Sequence, residues 1–235
     1  MDRGKTHNCE SCASAPKSFD TLNSKELNCI SDSKNHKVFK KGEVIFHEGN
    51  RPTGVYCLQE GKVKIFKNGI DGRKQIVRLA KPGDLIGYRS FLGEDLYTAS
   101  AAAIEESKAC FIERDSFFSV LKANTEFSWQ LIQNLTRELR DAENLVRDMA
   151  QKSVRERLAE ILLILKEKYG TNEAEPGLLN AKLSREELAN FVGTATETLI
   201  RLLSDFKAQG LITTKGKNIT ILDAEELIKT ANIEY

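Results

Sequence analysis

The stretch SREELANFVGTATETLIRLLS, residues 184–204, decides how the rest of the chain is read. Ser184-Arg185-Glu186-Glu187 has the pattern of a capping box, in which the serine hydroxyl accepts from an early backbone N–H and Glu187 reaches back. Leu188 and Ala189 then face inward, small Ala189 lets a second helix approach, and Gly193 supplies the turn. A second helix is predicted from about Thr194, with Leu199, Leu202 and Leu203 inward. Two helices at this spacing make a helix-turn-helix, whose second helix enters the DNA major groove with its N-terminal residues leading.

On that second helix Thr196, Glu197, Ile200 and Arg201 point outward. Arg201 has the fork geometry to bond guanine O6 and N7, and Glu197 can accept from cytosine N4. Glu197 also suits the third position of a capping box begun by Thr194, so capping and base readout both stay open for it. Arg185 and Thr194 complete the candidate contacts on the two helices. Further on, residues 213–221 read as a hairpin with a Lys215-Gly216-Lys217 tip, a small wing whose lysines can reach phosphate.

Working towards the N-terminus, residues 132–149 carry Ile132, Leu135, Leu139, Ala142, Val146 and Met149 in steps of three and four, as a and d positions of a heptad. So narrow an apolar stripe suits a two-stranded coiled coil, and hence a homodimer; a helix packed on its own domain is the alternative. From Val38 to about Phe111 short β-rich runs alternate with turn glycines, among them Asp71-Gly72, which describes an antiparallel barrel or roll. Before it lie a polar arm and a short helix beginning near Ser24.

Four regions follow: an arm and short helix over 1–35, a β-roll over 36–113, a dimerisation helix over 114–150, and a winged helix-turn-helix over 151–235. A chain of 235 residues has length for two ordinary domains, and an apolar fraction of 40% can build their cores. The formal net charge of +1 leaves room for one basic face balanced elsewhere. Residues 1–18 show no apolar export segment, and no run has the length and hydropathy to span a bilayer, so a cytoplasmic protein with no membrane partner is expected. Five cysteines in such a chain are expected to be reduced.

Roll, long helix, helix-turn-helix and wing, in this order, resemble the Crp/Fnr family. Specific matches are Lys41-Gly42-Glu43-Val44-Ile45-Phe46, Glu60-Gly61-Lys62-Val63-Lys64, Pro82-Gly83-Asp84-Leu85-Ile86-Gly87, Val154-Arg155-Glu156-Arg157-Leu158-Ala159 and the run from Gly193 to Leu203. The resemblance implies an α+β fold: an N-terminal cyclic-nucleotide-binding-like β-roll, a long dimerisation helix and a C-terminal winged helix-turn-helix. It also implies a homodimeric transcription regulator on a near-palindromic site of double-stranded DNA. The family's recognition glutamate and arginine fall on Glu197 and Arg201. RNA polymerase would be a further partner if the protein activates.

The signal is harder to read. By the resemblance, the effector pocket falls at Gly87, Tyr88, Arg89, Tyr97 and Thr98. The family's cyclic-AMP binders carry a glutamate where Tyr88 stands and an arginine-serine pair where Tyr97-Thr98 stand, so cyclic AMP held in the usual way is not expected; a buried phosphate would lack its arginine. The family's oxygen sensors hold a [4Fe–4S] cluster on arm cysteines and one roll cysteine. Cys9 and Cys12 match the arm, Cys110 matches the roll, and Cys29 is the only substitute for the missing third arm cysteine, which puts a cluster-free sensor or an unidentified small ligand ahead of a cluster. Cys57 and Cys110 lie in apolar β segments, where core packing is the default.

A catalytic function is not expected. His7, His36 and His47 lack a linked serine or cysteine motif, and no glycine loop with its lysine offers to cradle a phosphate.

Overall fold

The computed structural model describes residues 9–233. The chain forms two compact units, one comprising residues up to 67 together with 78–141, the other 68–77 and the chain from 142 onward. Among the described residues no helix is long and apolar enough to cross a membrane.

The N-terminal unit opens with short 3-10 turns at Cys9–Ser11 and Lys17–Thr21, then helix α1, Ser24–Ser33. The sequence put the start of α1 near Ser24; its cap is Asn23, whose side chain accepts from the Lys25 and Glu26 amides while Glu26 returns to the Asn23 N–H. Strands β1 (Asn35–Phe39), β8 (Ser107–Glu113), β3 (Gly54–Glu60) and β6 (Leu85–Ile86) make one antiparallel sheet in that order. Strands β2 (Val44–Phe46), β7 (Ser100–Ala103), β4 (Val63–Asn68) and β5 (Lys74–Ala80) make the other. Helix α2, Tyr88–Leu92, follows β6.

Alternation along β3 and β8 divides the core. Tyr56 and Leu58 face the roll interior with Phe39, Phe46 and Tyr97. Val55 and Cys57 face the other way, into a second cluster with Cys110 and Ile112 that is covered by the arm and the helices. A strand's side chains alternate strictly between faces, so one residue of parity decides which core a side chain joins.

The sequence predicted one helical region over 114–150. The structure has two helices, α3 (Arg114–Ala123) and α4 (Thr125–Gln151), separated at Asn124, whose backbone is extended. The Asn124 amide explains the break: its Oδ1 accepts from the Phe127 N–H at 2.8 Å, as a capping side chain does, while Nδ2 donates to the Thr21 carbonyl and to Glu26. Asparagine competes with helix continuation by bonding nearby backbone, which favours it at helix starts. Along α4, Phe127 and Leu131 are buried and Leu135 packs on the same core, so the heptad reading is corrected at Leu135. Trp129, Ile132, Leu139 and Val146 are left exposed along the helix at intervals of three, seven and seven residues.

In the C-terminal unit α5 spans Val154–Tyr169 and carries a Ser153–Glu156 capping box. Helices α6 (Arg185–Val192) and α7 (Thr196–Ala208) follow, then β9 (Ile212–Lys215), β10 (Asn218–Ile221) and α8 (Ala224–Thr230). Leu188, Val192, Leu199, Leu203 and Phe206 build the core between these elements. Phe206 is fully buried, a contribution of about 1.5–3 kcal/mol by transfer of its ring from water. Leu202, expected inward, is only half-buried, and Phe206 fills the position a turn later instead.

Candidate functional site

The helix-turn-helix is built as its sequence dictates at the first helix. The Ser184 hydroxyl accepts from the Glu187 N–H at 3.1 Å, and Glu187 accepts from the Ser184 N–H at 2.8 Å. Gly193 ends α6 in the left-handed region, φ 73°, with its N–H returning to the Ala189 carbonyl. A side chain there would be strained, and its Cβ would stand 2.9 Å from Met149 Sδ.

The second helix differs from its expected start. Its cap is Ala195, with no side-chain bond, so Thr194 lies outside the helix and no Thr194–Glu197 capping box forms. Glu197 is the second residue of α7 and exposed, free of that competing role. Ile200 and Arg201 are exposed one turn on, while Thr194 and Thr196 are partly covered. The helix N-terminus therefore presents Glu197 and Arg201 on its solvent side, one turn apart.

Arg185 sits differently from its neighbours. Its guanidinium is half-buried, one nitrogen donating to the Gly216 carbonyl at 3.0 Å and Nη1 closed off from solvent. Burial lowers its pKa from the usual arginine value. Arg185 thus ties α6 to the wing tip. In the wing, Lys215 pairs with Asn218 across a two-residue turn, and Lys215 and Lys217 are exposed.

The expected effector pocket is filled by the protein's own rings. Tyr97 stacks on Phe46, centroids 4.0 Å apart and 15° from parallel, and its ring closes on Gly87 so tightly that a Cβ there would lie 3.1 Å away. Tyr88, beside Gly87, points elsewhere: its hydroxyl donates to Glu138 Oε1 on α4 at 3.0 Å. Arg78 pairs with the same carboxylate, and exposed Arg89 stands 3.7 Å from it. Burial pushes the Tyr88 phenol above its ordinary pKa, with Glu138 adding to the shift, and burial does the same for Tyr97. Thr98 is exposed on the surface. Gly87 and Tyr97 thus touch in the roll interior, whereas Tyr88 and Arg89 stand beside Glu138 of α4.

Four cysteines do share a cavity. Cys9, Cys12, Cys57 and Cys110 line a space of about 10 Å³, room for one water molecule, with Lys34 and apolar side chains completing its wall. Successive turns in the arm, Cys12 N–H to Cys9 carbonyl and Ala15 N–H to Cys12 carbonyl, bring the two arm thiols to one side. The Cys9 N–H donates to the Ser31 hydroxyl, tying the arm to α1. Cys57 and Cys110 are direct partners across the β3–β8 ladder and point to the arm side of the sheet. Lys34 Nζ donates to Cys9 Sγ at 3.2 Å, Gln59 approaches Cys12 Sγ, and His36 Nδ1 lies 3.5 Å from Cys110 Sγ. Burial pushes the Cys57 thiol well above its ordinary pKa, reinforced by Cys110 and the arm thiols, and pushes Cys110 up to about 11. Cys29 packs against the same core from α1 but does not line the cavity. Of the sequence-expected set Cys9, Cys12, Cys29 and Cys110, all but Cys29 line this cavity, and Cys57 lines it as well. The missed signal was parity, since Cys57 shares a face with Val55 and Cys110 shares one with Ile112.

Comparison with known proteins fits this architecture. The cyclic nucleotide-binding domain model matches residues 36–124, and the Crp-like helix-turn-helix domain model matches residues 156–230. The chain is 34% identical over 193 residues to the CRP-like cAMP-activated global transcriptional regulator of Mycobacterium tuberculosis, covering 82% of this chain and 86% of that protein. The chain belongs to the Crp/Fnr family of transcription regulators. A second Crp/Fnr relative, the transcriptional activator protein Anr of Pseudomonas aeruginosa, is 28% identical over 225 residues, covering 95% of this chain and 92% of its own. The structure of FixK2 from Bradyrhizobium japonicum superposes with a TM-score of 0.77 at 25% identity, covering 86% of this chain and 99% of that one.

Proposed function

We propose that this Crp/Fnr protein is a cytoplasmic homodimer that binds a near-palindromic operator through two copies of α7, under the control of a signal received by its N-terminal unit. The observation that carries the reading is the solvent face of α7, where Glu197 and Arg201 stand exposed one turn apart at the N-terminal end of the second helix of the helix-turn-helix. Thr194, Thr196 and Ile200 border these readers, and Lys215 and Lys217 of the wing supply phosphate contacts. Arg185 acts by holding the wing to α6. Dimerisation runs along the exposed stripe of α4. RNA polymerase is a further partner where the protein activates, and no catalytic step is assigned to any residue.

Cyclic AMP held in the family's usual way is not the signal. An anionic phosphate in the roll interior would meet Tyr97 and Phe46 stacked on each other, while the nearby Arg78 and Arg89 are turned to Glu138. A thiol-based sensor is favoured by the convergence of four cysteines on one cavity.

The test of the DNA reading is Arg201→Ala in a competition assay between an operator selected from random duplexes and a scrambled duplex. Loss of a bidentate base contact costs about 1–3 kcal/mol, so operator affinity falls roughly 5- to 150-fold while scrambled binding stays. Lys217→Ala lowers both affinities alike and reduces the salt dependence by about one counterion. Full operator preference in Arg201→Ala would exclude it as a reader.

A further inference from the structure

The last carbonyls of a helix have no partner inside it, and at the end of α6 they lead straight into the turn before the reading helix. The Ala189 carbonyl accepts from the Gly193 and Thr194 N–H groups, whereas those of Phe191, Val192 and Gly193 are met by side chains from elsewhere. Arg157, half-buried in the first turns of α5, supplies two of these bonds. Its Nε donates to the Val192 carbonyl at 2.9 Å and its Nη2 to the Gly193 carbonyl at 3.4 Å. Its Nη1 donates to the Lys152 carbonyl at 2.7 Å, in the short corner between α4 and α5. We propose that Arg157 is a positioning residue for operator recognition: one guanidinium holds both the corner after α4 and the turn before α7, and so sets the half-site spacing that the dimer accepts. This deepens the DNA reading proposed above and rests on it.

The surroundings of Arg157 make the link stiff. Every nitrogen of the guanidinium donates to a backbone carbonyl, a use that suits a rigid planar fork and that a single ammonium does not reproduce. The corner is held by charge as well: Lys152 Nζ stands 3.0 Å from Glu160 of α5 and 3.7 Å from Asp148 of α4, and Asp148 is buried. The turn is pressed on the same end of α4, for a Cβ at Gly193 would stand 2.9 Å from Met149 Sδ. Gln75 Nε2 takes the remaining Phe191 carbonyl at 3.2 Å. All of these residues belong to the C-terminal unit.

Only Thr194 and Ala195 lie between Gly193 and α7, so the direction of α7 follows from the turn. Val146, exposed in the proposed dimer stripe, lies one turn before Met149 on α4. A fixed link from this end of α4 to α7 therefore fixes where each recognition helix stands relative to the two-fold seam. One added base pair moves a half-site by about 3.4 Å and turns it by about 35°. A dimer with the link intact reaches such a site only by breaking a charged hydrogen bond of the fork, which corresponds to roughly 10- to 150-fold in affinity.

The full-length protein is tested by competition between the operator selected from random duplexes and two versions whose central spacer is one base pair longer or shorter. Wild type is expected to prefer the selected spacing by roughly 10- to 150-fold. Arg157→Ala is expected to lose most of that preference, while base changes within a half-site still cost it as much as they cost wild type. Arg157→Lys keeps the charge without the fork and is expected to behave like Arg157→Ala. Asp223→Ala, which removes the side-chain cap of α8, lowers stability and keeps the wild-type spacing preference. An Arg157→Ala protein with undiminished spacing preference overturns the proposal. So does an Arg157→Lys protein with wild-type preference, which decides the matter even if Arg157→Ala fails to fold. An equal loss of preference in Asp223→Ala also overturns it, since lost stability would then be the cause. A wild type that selects an operator yet binds all three spacings alike sinks this inference and leaves the DNA reading standing; a wild type that selects no operator sinks both.

Discussion

Replacing Leu139 by alanine tests the dimer stripe with a magnitude drawn from the structure. Leu139 is 58% exposed on α4, so more than half of its surface is free to be covered by a second copy. Full burial of a leucine side chain yields about 1.5–3 kcal/mol, and the uncovered share corresponds to roughly 1–1.7 kcal/mol. A two-fold interface buries the residue twice, giving about 2–3.5 kcal/mol per dimer, or a 30- to 300-fold rise in the dimer dissociation constant. Leu139→Glu goes further by placing like charges against each other in the seam. Because the side chain contributes little to its own protomer, both variants keep the wild-type circular dichroism spectrum. Sedimentation equilibrium over a dilution series measures the constant, with Arg140→Ala, on a neighbouring face, as the unchanged reference. A Leu139→Glu protein that stays as tightly dimeric as wild type would refute the assignment of this stripe to the interface.

Two other outcomes are expected. Ser184→Ala removes one side of the α6 capping box and lowers stability by about 1 kcal/mol, read from urea unfolding followed by circular dichroism; no loss would mean the Glu187 side of the box suffices. Burial raises the phenol pKa of Tyr56, Tyr88 and Tyr97, so these groups favour the folded state while neutral. Their contribution is complete below the unfolded value of about 10 and is lost as pH rises above it through the folded values. Tyr88→Phe therefore loses less stability than wild type across that alkaline range, and spectrophotometric titration shows fewer late-ionising phenols; identical alkaline profiles would contradict this.

The legible parts of the chain were those whose signal is local. The Ser184–Glu187 box, the glycine turn after it and the Lys-Gly-Lys wing each lie within a few residues, and periodicity alone separated roll from helix. What escaped was set by partners distant in sequence. Asn124 breaks the helical region through bonds to Thr21 and Glu26. Tyr88 and Arg78 are turned toward Glu138, about fifty and sixty residues on, which no pocket motif announces. Cys57 joined the thiol group only through a ladder with a strand fifty residues later, while Cys29, nearer in sequence to the arm, was the natural substitute on paper. The start of α7 was misplaced for a smaller reason: Thr194 has the better capping side chain, yet the chain leaves the Gly193 turn one residue too late to use it.

The bond from Arg185 to the Gly216 carbonyl has a thermodynamic corollary. A wing tip already fixed to α6 has little conformational freedom to surrender when it meets a phosphate, so its lysines arrive as part of a rigid surface. The heat-capacity change on operator binding should then match the apolar area the interface covers, without the large excess that marks a segment folding as it binds. Cutting that single tether would leave both lysines in place and still change the calorimetric character of recognition.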